Sequence, residues 1–204
     1  TFPLTDGTGR ELVVWTTTPW TLPSNVAAAV HPDLEYGTYR HPKHPGRGFV
    51  MATSREAKLR EILGEELVLE GTVAGRALAG LEYRRPLDVV PLPEEYRHSV
   101  VIPGQFVTAE DGSGIVHMAP AFGADDYHAG KEHGLALVRP VAPDGTFAGT
   151  TWPEIEGRLV TAEETNEIII RRLKADGRWL RTEQYVHSYP HCWRCQSKLI
   201  YYAR

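Results

Sequence analysis

The 204-residue chain contains 42% hydrophobic and 24% charged residues and carries a formal net charge of −4. This composition is typical of one folded domain with its own core, and no apolar run approaches the roughly 20 residues that span a bilayer. The negative charge excludes binding to nucleic acid by bulk electrostatics, which leaves local contacts or affinity supplied by a larger protein.

The two ends of the sequence and its cysteines bear on the cellular compartment of the protein. The start at Thr1 has no methionine, no basic region and no apolar segment, so we do not expect secretion. Together with the end at Tyr201–Arg204, directly after an apolar run, it suggests a piece of a longer protein. The two cysteines, Cys192 and Cys195, are too close in sequence to link distant parts of a fold. We therefore expect a cytoplasmic protein with no membrane partner.

Short segments rich in Val, Ile, Thr and Tyr, separated by Gly and Pro, predict a chain made mostly of β-strands. The predicted strands are Glu11–Thr17, Val26–Val30, Leu34–Tyr39, Phe49–Ala52, Leu67–Val73, Asp88–Val90, Ser99–Ile102, Gly114–Met118, Ala136–Val141 and Trp179–Val186.

Three helices are predicted among these strands. Capping-box sequences at Thr53 and Thr161 predict helices that end at Gly64 and Gly177, and a shorter helix is expected from about Ala124 to Gly134. Because strands and helices do not alternate regularly, we predict a mainly β, α+β fold, with a closed or nearly closed β-barrel and helices on its outside.

The first unusual stretch is Trp15-Thr16-Thr17-Thr18-Pro19-Trp20, followed at a short distance by Asn25. Alternation along a strand predicts that Thr16 and Thr18 face one side and Thr17 the other. Threonine hydroxyls both donate and accept hydrogen bonds, so they suit the positioning of a water or an ester carbonyl. On this stretch alone, a Thr-rich strand with ordinary β-propensity is the favoured interpretation.

The second stretch, residues 112–127, carries a predicted strand through a Gly/Pro loop into a helix start, a common place for a binding site. We interpret Asp125 as a helix cap, whereas Asp126 fits a cap or a ligand's ammonium group equally well. His117 at the strand end fits a base, a pocket wall or a structural role, and its residue type favours the structural one. Basic residues at 39–47 and at Arg84-Arg85 are interpreted as solvated loops.

The pairing of these two stretches resembles the editing insertion domain of the class I aminoacyl-tRNA synthetases for isoleucine, valine and leucine. Thr-Thr-Thr-Pro-Trp (16–20) is similar to the isoleucyl members, since the others typically have Thr-Thr-Arg-Pro and then an acidic residue. Residues 112–120, 125–127 and 187–195 also resemble isoleucyl members, so the similarity runs from about Leu12 to Arg204. The ATP-binding signatures of those enzymes are absent, so no aminoacylation is expected from this chain.

The resemblance implies a barrel-type editing domain at residues 1–186 and a C-terminal return segment at 187–204 that leads to the body of the parent enzyme. It implies hydrolysis of valine from mischarged isoleucine tRNA, and of valyl-adenylate, with the tRNA 3′ end as partner and no cofactor. Such a site is needed because one missing methylene changes binding by only about 1–3 kcal/mol.

The resemblance also implies roles for individual residues. Asp126 matches a carboxylate that holds the α-ammonium group, His117 a residue that sizes the pocket against isoleucine, and Asn25 a polar residue at its mouth. Thr16, Thr17 and Thr18 match threonines that line the amino-acid and water sites. Substrate contacts are further expected from Trp15, Trp20, Ala119 and Pro120.

Cys192 and Cys195 resemble half of a structural zinc site, which normally has four ligands. His191 or His187 could add a ligand, and the other half would lie elsewhere in the parent enzyme. Three alternatives stay open: a fragment that binds valyl ligands without catalysing, a zinc-dependent nucleic-acid binding module, and a valyl or leucyl editing domain.

Overall fold

The computed structural model describes residues 1–183 and 190–203. Within these ranges the strands are β1 (Phe2–Pro3), β2 (Arg10–Leu12), β3 (Ala27–Val30), β4 (Glu35–Arg40), β5 (Gly48–Ala52), β6 (Val68–Ala74), β7 (Val100–Pro103) and β8 (Ile115–Met118). The α-helices are α1 (Glu56–Leu63), α2 (Ala124–His133) and α3 (Glu163–Ala175), and 3₁₀ helices span Pro19–Ser24, Thr53–Arg55 and Gly75–Ala77. No helix of the described part is long and apolar enough to cross a membrane.

The described strands form two mixed sheets. One has the order β1-β2-β5-β4-β6 and the other the order β7-β3-β8. The pairs β2–β5 and β3–β7 are parallel, and the remaining neighbours are antiparallel. Every residue of β3 is completely buried, so the three-stranded sheet lies at the centre of the core.

A crossing segment joins the two sheets just before the threonine run. The backbone N–H of Val13 donates to Val50 of β5, whereas Trp15 bridges to Val116 of β8. The chain thus leaves the five-stranded sheet and reaches the three-stranded sheet within two residues. As a result, the threonines that follow lie next to the end of β8.

The predicted mainly β, α+β class is confirmed, but no closed barrel is shown, because the described strands lie in two separate sheets. The strand predicted at Glu11–Thr17 ends at Leu12, where the crossing begins. The segments Asp88–Val90 and Ala136–Val141 are wrong as strands: they make isolated bridges or none, and their apolar side chains serve the core as irregular chain.

The three predicted helices are present, but their starts differ from the predicted caps. Neither Thr53 nor Thr161 caps a helix: Thr53 begins a 3₁₀ turn, and α3 begins at Glu163 after Ala162. Asp125 does not cap α2 either, because Gly123 holds the N-cap position and makes no side-chain bond. The predicted end of α2 is right, since Gly134 adopts the left-handed conformation there with φ 64°.

Several C-terminal predictions fall on or beside residues 184–189, which lie outside the described ranges. These include the last part of the predicted strand Trp179–Val186, His187 and the proposed boundary between residues 186 and 187. Residues 179–183 are described and are not a strand. The division into an editing domain and a return segment therefore stays a prediction.

Candidate functional site

The two unusual stretches of the sequence meet in the fold. Thr21 Oγ1 lies 2.8 Å from His117 Nε2, although 96 residues separate them along the chain. Thr21 belongs to the 3₁₀ helix that follows the threonine run, and His117 lies in β8. The structure thus brings together the two motifs that carry the candidate site.

The threonine run bends rather than continuing as a strand. Thr18 N–H donates to Thr16 Oγ1 at 3.1 Å, and the hydroxyls of these two residues are 3.5 Å apart. Thr16 and Thr18 therefore lie together as predicted, although a bend brings them together instead of strand alternation. Thr17 is exposed, and Pro19 begins the 3₁₀ helix because its fixed φ suits a first turn.

A directed set of hydrogen bonds determines which nitrogen of His117 carries the proton. The Asn25 amide donates to Ala27 O at 2.9 Å and to His117 Nδ1 at 2.9 Å. Since Nδ1 accepts, the ring proton lies on Nε2, which donates to Thr21 Oγ1. The Thr21 hydroxyl in turn donates to the carbonyl of Thr18 at 2.9 Å.

His117 is a rigid neutral group in this setting. Its side chain is 8% exposed, and burial lowers its pKa to about 3. Its pairing partner across the sheet is Ala28, whose small side chain leaves room for the imidazole. Because both ring nitrogens are engaged and the ring resists protonation, the surroundings of His117 fit a structural residue or a fixed wall and not a general base.

The resemblance implied that Asn25 lies at the mouth of a pocket, but the structure places it in the interior. It is completely buried, and its Oδ1 accepts a hydrogen bond from the hydroxyl of Tyr83 at 2.7 Å. With its amide donating to Ala27 and His117, all of its polar atoms are satisfied by the protein. Asn25 therefore holds the imidazole of His117 in its orientation.

Asp126 lies at the start of α2, where its carboxylate fits closely against the backbone of Ala119 and Gly123. Its Oδ2 accepts the backbone N–H of Ala119 at 2.7 Å, and burial raises the pKa of the carboxyl group. A Cβ on Gly123 would lie 2.9 Å from the Asp126 Cγ, so a glycine is needed for this close approach. A carboxylate oxygen accepts more than one hydrogen bond, so Asp126 can still receive an ammonium group.

Three neighbours of Asp126 shape its surroundings. Ala119 is 1% exposed and takes part through its backbone N–H. Pro120 is buried, and it packs so closely on Gly130 of α2 that a Cβ there would meet its ring at 3.0 Å. Asp125 is exposed, and its negative charge adds to the rise in the pKa of Asp126.

The two tryptophans of the threonine motif occupy different surroundings. Trp20 is 5% exposed and meets Phe122 edge to face at 5.0 Å between ring centroids. Its backbone N–H donates a hydrogen bond to Asn166 Oδ1 at 3.2 Å. Trp15 instead lines a cavity of about 410 Å³ together with Thr16 and Thr17. Among the described residues, Trp20 does not line this cavity, so the two tryptophans do not share a wall of it.

The described residues do not complete a zinc site. Cys195 Sγ lies 2.9 Å from Ser197 Oγ, and hydrogen bonds with Ser197 lower the pKa of this thiol to about 7. Such a thiol suits metal binding, but no group of three or more His, Cys, Asp or Glu that could hold a metal is found within residues 1–183 and 190–203. His187 lies outside those ranges.

Sequence reasoning missed three residues that support the site: Thr21, Tyr83 and Arg85. Thr21 belongs to the motif already singled out, so its hydroxyl could have been included. Tyr83 and Arg85 carry no local signal, because only the fold brings them to Asn25. The interpretation of Arg84-Arg85 as a solvated loop is wrong for Arg85, which is 7% exposed.

Comparisons with known proteins agree on one group of enzymes. The chain is 42% identical over 202 residues to "Isoleucine--tRNA ligase" of Nocardia farcinica, covering 98% of this chain and 19% of that protein. It is 41% identical over 203 residues to the enzyme of the same name from Methanothermobacter thermautotrophicus, covering 99% and 18%. The chain thus spans about a fifth of the length of these curated relatives. No protein-family model matches it.

Solved structures agree on the fold. The crystal structure of GlLeuRS-CP1 aligns with a TM-score of 0.68 at 17% identity, covering 88% of this chain and 87% of that one. The Plasmodium falciparum cytosolic leucyl-tRNA synthetase editing domain aligns with a TM-score of 0.55 at 11% identity, covering 81% and 78%. At such identities these matches show a shared fold.

Proposed function

This chain belongs to the isoleucine–tRNA ligase family, as a segment of about a fifth of its members' length, and on that premise we propose that it is their editing domain. In this proposal it hydrolyses valine from mischarged isoleucine tRNA and acts on valyl-adenylate in the same site. Its partners are the tRNA 3′ end and the rest of the parent enzyme, and its location is the cytoplasm.

One observation carries the proposal: Thr21 Oγ1 lies 2.8 Å from His117 Nε2 and joins the threonine motif to the strand that leads to Asp126. Asp126 is connected to the end of that strand through the backbone N–H of Ala119, two residues after His117. An aminoacyl ester offers matching chemistry, namely an ammonium group, a carbonyl and a small apolar side chain.

Asp126 binds the α-ammonium group of the misplaced amino acid in this proposal. The cradle formed by Ala119 N–H and Gly123 keeps the carboxylate in one place, and partial burial strengthens its attraction for a cation. Bare tRNA lacks an ammonium group, so this contact selects charged tRNA and orients its ester.

His117 limits the size of the accepted side chain. Two hydrogen bonds hold its ring, so it cannot rotate away to admit the additional methylene of isoleucine. Overpacking a fixed wall costs about 1–3 kcal/mol. A site that excludes isoleucine and accepts valine adds to the weak discrimination between these two amino acids that binding of a single methylene permits.

Hydrolysis proceeds by positioning, without a protein nucleophile or a general base assigned. In this proposal the hydroxyls of Thr16 and Thr18, which lie 3.5 Å apart, orient a water molecule that attacks the ester carbonyl, and backbone amides stabilise the developing oxyanion. The ester bond then breaks, and the amino acid leaves the ribose oxygen, which takes up a proton. The free ribose hydroxyl of the terminal nucleotide is available to assist. No step of this proposal uses a metal.

The test is deacylation of valine-charged isoleucine tRNA by this chain. We expect release of valine, little release from isoleucine-charged tRNA, and loss of hydrolysis in Asp126→Ala. Release of both amino acids would remove the assigned role of His117. Binding of a valyl ligand without hydrolysis would identify an incomplete domain, and absence of both binding and hydrolysis would overturn the proposal.

A further inference from the structure

Arg85 is a buried cation that the proposed function does not use. Its side chain is 5% exposed, and its ion-pair partner Asp88, at 3.0 Å, is 88% exposed and therefore well screened by solvent. Desolvation lowers the pKa of Arg85. A buried charge is unfavourable without compensating hydrogen bonds, so the guanidinium needs other partners within the fold.

The guanidinium binds three backbone carbonyl groups. Nε donates to Asn25 O at 3.1 Å, Nη2 to Pro23 O at 2.6 Å, and Nη1 to Val90 O at 2.9 Å. The planar fork of arginine suits this task, because its donors point in fixed and different directions. One side chain thus spans residues 23–25 and joins them to residue 90.

Two of these carbonyl groups, those of Pro23 and Asn25, lie where the 3₁₀ helix Pro19–Ser24 ends. The last carbonyl groups of a helix have no partner within it, and buried ones need a partner from elsewhere. Arg85 supplies that partner for Pro23 and for Asn25 directly after the helix. The segment it holds lies between Thr21 and Asn25, the two residues that bind the two ring nitrogens of His117.

We propose that Arg85 is a positioning residue of the editing site: by binding the carbonyls of Pro23 and Asn25, it holds Thr21 and Asn25 at the two nitrogens of His117. The inference rests on the proposed function for its effect on hydrolysis. Its structural part, the tautomer and orientation of His117, stands independently of any activity.

The experiment compares Arg85→Ala and Arg85→Lys with Arg84→Ala. Arg84 is exposed and adjacent, so its variant controls for the loss of one positive charge in the same segment. Lysine keeps the charge but has one nitrogen in place of the fork, so it cannot reach all three carbonyls in the same directions.

Two measurements are made on each variant of this chain. The first is the ¹⁵N NMR spectrum of His117, which distinguishes the Nε2–H tautomer from a mixture of tautomers. The second is hydrolysis of valine-charged and isoleucine-charged isoleucine tRNA, with kcat and KM determined separately and with added guanidinium ion for Arg85→Ala.

We expect the wild type and Arg84→Ala to show the single Nε2–H tautomer, and the Arg85 variants to show a mixture. Hydrolysis of the valyl ester should fall at least tenfold in kcat for Arg85→Ala, with discrimination against isoleucine reduced and partial rescue by guanidinium. Should Arg85→Ala fail to fold, Arg85→Lys provides the same readouts.

A folded Arg85→Lys or Arg85→Ala variant with an unchanged His117 spectrum and unchanged discrimination would overturn the inference. If the wild type hydrolyses neither ester, the proposed function fails, and the NMR measurement still decides whether Arg85 positions His117. A mixture of tautomers in Arg84→Ala as well would also contradict the assignment to Arg85.

Discussion

His117 Nε2 donates a hydrogen bond of 2.8 Å to Thr21 Oγ1, and this contact joins the two halves of the candidate site. Replacing Thr21 by valine keeps the shape of the side chain but leaves the buried Nε2–H without an acceptor. We expect a loss of about 1–3 kcal/mol in the free energy of unfolding, measured by denaturant titration. Thr21→Ser retains the hydroxyl and should lose less, whereas equal losses in both variants would contradict the importance of this bond.

The pKa of His117 makes the stability of the fold depend on pH. Burial lowers this pKa to about 3 in the folded state, whereas the unfolded chain keeps the ordinary value of 6.5. The unfolded state therefore binds more protons between these values, so stability contributed by the neutral ring is present above pH 6.5 and is lost as the pH falls toward 3. The slope from this group approaches about 1.4 kcal/mol per pH unit.

The corresponding measurement is the free energy of unfolding at several pH values for the wild type, His117→Asn and His128→Asn. We expect His117→Asn to flatten the dependence between pH 3 and pH 6.5, whereas substitution of the exposed His128 should leave it unchanged. The Asp126→Asn background removes the opposing contribution of that carboxyl, whose pKa is raised. Parallel curves for all variants would show that His117 is not the responsible group.

Replacing Asp125 should change the pH at which hydrolysis is lost on the acidic side, because the charge of Asp125 affects the pKa of Asp126. Its negative charge raises the pKa of Asp126, so Asp125→Asn should lower that pKa and move the loss of kcat/KM for the valyl ester to lower pH. Because Asp125 is exposed, the shift should be smaller at high salt. If the pH at which kcat/KM falls is unchanged in Asp125→Asn at low salt, another group controls it. Asp126→Asn should remove hydrolysis altogether.

Gly123 should be required for activity more than for stability. A Cβ there would lie 2.9 Å from Cγ of Asp126 and 3.1 Å from its Oδ1, so Gly123→Ala should displace the carboxylate. Its backbone is extended, with φ −149°, so alanine adds no backbone strain. We expect at least a tenfold loss of valyl ester hydrolysis with a small change in Tm. Gly71→Ala, with nothing within 4 Å of the new Cβ, provides the control.

Local patterns predicted the elements and the motifs well where periodicity and turn residues were the deciding signals. The helix ends at Gly64 and Gly134 and the strands β3 to β8 follow from hydrophobic pattern and glycine placement. The helix starts at Thr53 and Thr161 were wrong, because the side chain of a capping residue can also bind backbone groups outside the helix. Thr53 Oγ1 binds the carbonyl of Glu35 on a neighbouring strand instead.

The sequence by itself determined the family resemblance, the mainly β class and the two motifs with Thr16–Thr18, His117 and Asp126, since these depend on residue type and spacing along the chain. Only the tertiary structure decided that Asn25 is buried beside Tyr83, that Thr21 accepts from His117 and that Arg85 holds the 3₁₀ helix. Those contacts join residues 58 to 96 positions apart. Burial and hydrogen-bond direction at such separations arise from packing of the two sheets, which no local pattern encodes.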